Sequence, residues 1–132
     1  VADGMSGDGE KTFRELNGDV SPYDPEQAKE YVKMGYCIGV GGVVTFKNAK
    51  KLRQTVEQIS LEHILLETDC PYMAPEPYRG RRNDSRYVPL VAAKIAALRG
   101  LTPEEAGALT AANARRLFRI PDGEEASACV TP

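Results

Sequence analysis

Tryptophan is absent from this chain, histidine occurs once, as His63, and the three cysteines, Cys37, Cys70 and Cys129, form no Cys-x-x-Cys pair. These lacks exclude a zinc site built from clustered Cys and His, and the odd cysteine count favours free thiols over disulfides. No apolar run approaches the roughly 18 residues of a membrane span. The first residues lack the basic and apolar regions of a signal peptide. The expectation is a cytoplasmic protein with no membrane partner. A strong excess of charge of one sign is missing too: 17 basic residues stand against 19 acidic ones, a balance that argues against a dedicated nucleic-acid-binding domain.

The charge is unevenly spread, however. Residues 1–25 carry six acids and two bases, residues 121–132 carry three acids and no base, and the stretch between them holds fifteen bases against ten acids. A basic centre lies between acidic ends. Both ends are dense in Gly, Asp, Ser or Glu without a sustained period of 3.6 or 2, which predicts loop or disorder for 1–25 and a disordered acidic tail for 121–132.

The middle is well punctuated. Asp24, Pro25 and Gln27 have the look of an N-cap, a first-turn proline and a capping-box partner, and Gly35 closes the helix they open. Tyr36–Gly42 (YCIGVGG) is short, apolar and glycine-rich, as suits a buried strand that lets other groups approach closely. Asn48 to Gln58 reads as a helix with Leu52, Val56 and Ile59 on its inner face and Lys47, Lys50 and Lys51 towards solvent. Ile64 to Leu66 forms a second buried strand, so strand, helix and strand make a βαβ unit with parallel strands. Cys70 to Asp84 is a loop set by Pro71, Pro75 and Pro77, long enough to be functional or disordered. Val88, Val91, Ile95 and Leu98 mark a helix ended by Gly100. Thr102, Pro103 and Glu105 open a last helix to about Phe118, with a break expected near Thr110.

Glu67 and Asp69 are the strongest chemical feature, because a buried apolar strand ends in two carboxylates that share one strand face. At the carboxyl end of a parallel strand, two acids can hold a divalent metal, orient water or act as a general base. The alternative is a polar strand end that caps the next loop. Arg79, Arg81, Arg82 and Arg86 follow closely, and guanidinium groups bind phosphate oxygens bidentately, which suggests a phosphate-bearing substrate. A solvated basic loop is the other reading. Tyr72 and Tyr78 can stack on bases or pack beside the prolines. His63 precedes the second strand, at the opposite end from the carboxylates, and is expected on the surface. Gly39, Gly41 and Gly42 lack both a following G-K-[ST] and the dinucleotide-fingerprint spacing, so close packing explains them better than phosphate cradling. Asn113 falls on the apolar face of the last helix, where a buried amide needs structural hydrogen bonds.

Three strings, AKEYVKMGYCIGVGGVVTFKNAKKLR, ILLETDCPYMAPEPYRGRRNDSRYVP and TAANARRLF, resemble the C-terminal part of the TatD family of metal-dependent deoxyribonucleases over about Glu26 to Phe118. The resemblance implies an α/β fold, the C-terminal portion of a (β/α)₈ TIM-type barrel, with Tyr36–Gly42 and Ile64–Thr68 as its last two parallel strands and residues 26–120 as a partial hydrolase domain. A complete barrel takes about 250 residues, and at least about 200, so part of it is expected to be missing from this sequence. That it begins with Val1 rather than Met agrees.

By the same resemblance Asp69 is a metal-binding carboxylate that helps activate water, and Glu67 is the second acid at the scissile phosphate. Arg79, Arg81 and Arg82 handle the phosphates, and DNA, single-stranded or at ends, is the substrate. The family site takes two divalent ions, Mg, Mn or Zn. Its His-x-His pair, its Glu and its two further histidines have no counterparts here, and Ser6-Gly7, a candidate remnant of the family's His-Cys-Phe/Tyr-Ser-Gly strand end, lacks the histidine and lies too far from Ala28 to be aligned. Three readings follow. One is a truncated hydrolase that is inactive alone. Another is a remnant that binds nucleic acid without cleaving it. The last is a segment that pairs with another chain, or with itself, through open barrel edges.

Overall fold

The computed structural model describes residues 24–121. Expectations for the acidic ends, including Ser6-Gly7 and Cys129, lie outside the described residues. Helix α1 (Pro25–Lys33) begins where the Asp24 carboxylate accepts the Glu26 N–H at 3.1 Å. Gln27 does not complete the expected capping box, because its buried Oε1 finds no partner among the described residues. After Gly35, at φ +89°, the chain enters β1.

Strand β1 (Ile38–Val40) and strand β2 (Ile64–Leu66) pair in parallel with Ile38 opposite Ile64, Gly39 opposite Leu65 and Val40 opposite Leu66. β1 is shorter than the expected Tyr36–Gly42. The Val44 N–H bonds back to the Gly41 carbonyl and the Phe46 N–H to Val43, so the chain turns into a 3₁₀ segment, Gly42–Thr45, instead of extending. Helix α2 (Lys50–Gln58) starts two residues later than expected, after Ala49 turns back onto the Phe46 carbonyl.

Helix α3 (Val88–Arg99) ends at Gly100 with φ +67°, where a left-handed residue stops the helix at little steric cost. Helix α4 (Pro103–Phe118) starts with a full capping box, in which Thr102 Oγ1 accepts the Glu105 N–H and Glu105 accepts the Thr102 N–H. It runs unbroken through Thr110. The Thr110 hydroxyl donates to the Ala106 carbonyl at 2.8 Å, and so satisfies itself within the helix instead of breaking it.

The core lies where both strands, α2 and α3 meet. Ile38, Val40, Ile64, Val44, Leu52, Val56, Ile59, Val91 and Ile95 are all buried in one cluster, and each large side chain removed from water contributes about 1.5–3 kcal/mol. The expected inner face of α2 is thus the observed one. α4 locks onto the amino end of β2: Asn113 Nδ2 donates to the carbonyls of Leu61 at 2.7 Å and Ile64 at 2.8 Å. This is the structural role expected of that amide. Arg99 in turn donates to the carbonyls of Val56 and Ile59 at the end of α2. An apolar groove of about 490 Å³ remains between β2, α3 and α4, lined by Leu66, Val88, Ala92 and Ala114 among others. Among the described residues no helix is long and apolar enough to cross a membrane.

Candidate functional site

Because β1 and β2 are parallel, both chains leave the sheet at the same end. β1 is followed by Gly41-Gly42, and β2 by Glu67-Thr68-Asp69. The Glu67 N–H still bonds to the Val40 carbonyl at 3.1 Å, so Glu67 is held in register with the sheet. Its carboxylate rests on Gly41, where an added Cβ would lie 2.0 Å from Oε1. Gly42 serves the other loop, since a Cβ there would lie 2.2 Å from the Met73 carbonyl oxygen. The close-packing reading of these glycines is therefore the observed one, and one of the groups packed on them is a carboxylate.

Glu67 is half-buried and Asp69 exposed, at the sheet exit as the sequence predicts. Between them Thr68 organises the proline loop. Its hydroxyl oxygen accepts from the Cys70 N–H at 3.1 Å and from Asn83 Nδ2 at 3.2 Å, and also touches the Cys70 sulfur. Asn83, buried at 4% exposure, further donates to the Tyr72 carbonyl at 2.8 Å, while its backbone N–H bonds Pro71. The loop is thus an ordered, pinned segment. Asn83 was not singled out by sequence reasoning, because an Asn among charged loop residues carries no sign of burial. Thr45 is a second such residue: its hydroxyl accepts the Glu76 N–H at 2.8 Å and ties the proline loop to the segment after β1.

The arginines separate into different surroundings. The Arg79 guanidinium lies 4.0 Å above the centre of the Phe46 ring. Arg81 and Arg82 are exposed. Arg86 is engaged by Asp84, with Nη2 to Oδ2 at 2.7 Å, and this hydrogen-bonded guanidinium lowers the Asp84 carboxyl to about 2. Tyr78 stacks on Tyr87 at 4.5 Å, which favours the packing reading for that ring. Tyr72 stays exposed. His63 sits half-buried in the 3₁₀ turn Leu61–His63 before β2, at the end of the sheet away from Glu67. Cys37 and Cys70 are free thiols.

Among the described residues no three His, Cys, Asp or Glu side chains gather closely enough to hold a metal ion. A hard divalent cation takes about six ligands, so Glu67 and Asp69 do not by themselves fit one.

The family model described as "TatD related DNase" matches residues 22–119. An uncharacterized metal-dependent hydrolase, YabD of Bacillus subtilis, is 50% identical over 95 residues, covering 72% of this chain and 37% of that protein. The 3'-5' ssDNA/RNA exonuclease TatD of Erwinia billingiae is 37% identical over 101 residues, covering 73% of this chain and 39% of that one. Among solved structures, YJJV, a TatD homologue from Escherichia coli K12, superposes with a TM-score of 0.68 at 33% identity, over 79% of this chain and 39% of that one. A TatD family hydrolase from Entamoeba histolytica, at 20% identity and a TM-score of 0.60, shares the fold. The two strands and their helices are accordingly part of a TIM-type barrel, and the chain spans little more than a third of the length of the relatives it matches.

Proposed function

From the membership of this chain in the TatD family of metal-dependent hydrolases, we propose that it carries the carboxylate edge of a phosphodiester-hydrolysing site, with Asp69 as one ligand of a divalent ion and Glu67 as the second acid. The observation that carries this reading is the seat of Glu67 on Gly41: a glycine makes room for a carboxylate at the carboxyl end of two parallel strands, where α/β barrels gather their chemistry. Arg81 and Arg82 lie exposed on the same loop and are available to phosphate oxygens. The substrate class is nucleic acid, single-stranded or at ends. The ion is Mg, Mn or Zn, and two are used in a complete site whose histidine ligands have no counterparts in this sequence. On this reading the chain alone does not hydrolyse DNA. Strand edges that no strand among the described residues covers, and the apolar groove beside β2, make it prone to self-association.

The test uses two proteins. The 132-residue chain should cleave a single-stranded oligonucleotide under Mg²⁺ or Mn²⁺ no faster than its Asp69→Ala variant, and should sediment as an associating species. A chimera in which this chain replaces the matched region of the Bacillus relative should show metal-dependent cleavage, which Asp69→Asn lowers by about 10²- to 10⁴-fold. A chimera that keeps its rate without Asp69 sinks the assignment.

The second reading, binding without cleavage, is favoured by the missing three-residue metal cluster among the described residues. A chimera inactive from the start, together with a chain that still binds the oligonucleotide, would select it.

A further inference from the structure

Beside the carboxylates, at the same end of the sheet, a cleft of about 550 Å³ opens between the segment after β1 and the proline loop. Phe46, Asn48, Lys50 and Lys51 line one wall, and Met73 and Arg79 the other. We propose that this cleft is a second phosphate subsite, distinct from Arg81 and Arg82, which holds a neighbouring phosphodiester of a single-stranded nucleic acid engaged at Glu67 and Asp69. The proposal rests on the nucleic-acid reading of that site and extends it from the proline loop to Lys50 and Lys51 at the start of α2.

Arg79 makes no hydrogen bond or ion pair with the described residues. Its contact is the face of the Phe46 ring, 4.0 Å away. A guanidinium centred over a ring spends no N–H donor on that contact, so its donors remain for phosphate oxygens. Phe46 itself is buried, at 5% exposure, so it gives the cleft little surface of its own and serves to hold Arg79 in place. Lys50 has no ion-pair partner among the described residues, and Lys51 only a loose, exposed one, Asp24, at 3.9 Å. Three cations thus line a cleft whose remaining surface, Met73 among it, is partly apolar. That mixture suits a strand carrying phosphates and bases better than a free inorganic anion.

Both walls are fixed. Arg53 donates to the carbonyls of Phe46 and Lys47 and braces the first wall. Across the cleft, the Met73 carbonyl packs on Gly42, and the Glu76 N–H bonds Thr45. The Glu67 carboxylate and the Met73 wall therefore rest on consecutive residues, Gly41 and Gly42, whose Cα atoms are about 3.8 Å apart.

The experiment is the binding of a fluorescent single-stranded oligonucleotide to the full 132-residue chain at low and moderate salt, read by anisotropy. The proteins compared are the parent, Lys50→Glu/Lys51→Glu, Arg79→Gln and Arg81→Ala/Arg82→Ala. Lys50 and Lys51 are exposed, so the double variant should fold, which circular dichroism verifies. Each lost phosphate contact should flatten the slope of log affinity against log salt by about 0.7. We expect a loss of about 1.4 in slope for the lysine pair and about 0.7 for Arg79→Gln, with at least a tenfold loss of low-salt affinity for the pair. Unchanged affinity and slope in both cleft variants would overturn the subsite, and so would failure of the parent to bind at low salt. Neither result touches the reading of Asp69, which the chimera's cleavage decides independently.

Discussion

The two ends of the β1–β2 pair are held by different physics. Around the strands many interchangeable apolar contacts share the load, with Ile38, Val40, Ile64, Leu52, Val56 and Ile95 all buried in one cluster, and at the amino end the Asn113 amide supplements them. At the carboxyl end, single contacts decide the geometry: one carboxylate on Gly41, one carbonyl on Gly42, one amide from Asn83 to Thr68 and Tyr72. Apolar packing tolerates exchange of similar volumes, whereas a lone polar contact has no substitute when it is removed. Stability is thus concentrated on one side of the molecule and positional accuracy on the other.

The largest expected effect breaks the first region. Ile95 is fully buried between α3 and the strands, so Ile95→Ala should destabilise the chain by about 2–5 kcal/mol, the range for truncating a core aliphatic residue. Denaturant titration with an unchanged m-value checks it. A loss below ~1 kcal/mol would show that α3 is peripheral, and the contrast between the two ends would fail.

The glycine pair sharpens the contrast, because two adjacent substitutions should give different results. In Gly42→Ala the new methyl meets the Met73 carbonyl and the Pro75 nitrogen, which are backbone atoms of a loop pinned at Thr68 and Thr45. That loop must move, at a cost of about 1–3 kcal/mol. In Gly41→Ala the methyl meets the far end of the Glu67 side chain, which can swing away. Stability should then change by less than ~1 kcal/mol, the small end of the range for point substitutions, while the Glu67 carboxyl resonance shifts. Equal losses in the two variants would mean that Glu67 is as rigidly held as the loop backbone.

The same division explains what could be read in advance. Helices α1, α3 and α4 were legible because their signals are local: Asp24-Pro25, Gly100, and Thr102 with Glu105 three residues on. The inner face of α2 and the βα exit carrying Glu67 and Asp69 were legible from periodicity and strand direction. The Asn113 amide was legible because a polar residue on an apolar stripe demands partners. Contacts that join distant segments were not. Nothing local announces that Thr45 will receive Glu76, that Arg79 will leave the other arginines for Phe46, or that Gly41 will seat Glu67, since each depends on how two loops meet after the sheet has formed. The expected break near Thr110 failed for the opposite reason. A β-branched hydroxyl residue lowers local helix propensity, but its own hydrogen bond to Ala106 and the packing of α4 outweigh that preference.

The smallest expected effect lies at the far end of the proline loop. Asp84 caps the short 3₁₀ turn Ser85–Tyr87 by accepting the Arg86 N–H at 2.9 Å, and its carboxylate also takes the Arg86 guanidinium. Hydrogen bonding from Arg86 is the main cause of its lowered pKa, about 2 against an ordinary 3.8. A carboxyl depressed in the folded state adds stability that is fully present above about 3.8 and disappears as the pH falls through about 2. The pair is open to solvent, so the effect on global stability should be slight and should shrink further with added salt. The measurement is therefore local: the Asp84 carboxyl carbon followed by NMR between pH 5 and about 1.5, in the parent and in Arg86→Ala. The parent should titrate near 2 and the variant close to the ordinary carboxylate value. The Asn83 side-chain amide resonances should stay unmoved across that range, because neither that amide nor the Thr68 hydroxyl it bonds ionises. If those resonances follow Asp84, the turn and the loop anchor behave as one cooperative unit, and the carboxyl end is less a set of single contacts than the glycine pair and Asn83 make it.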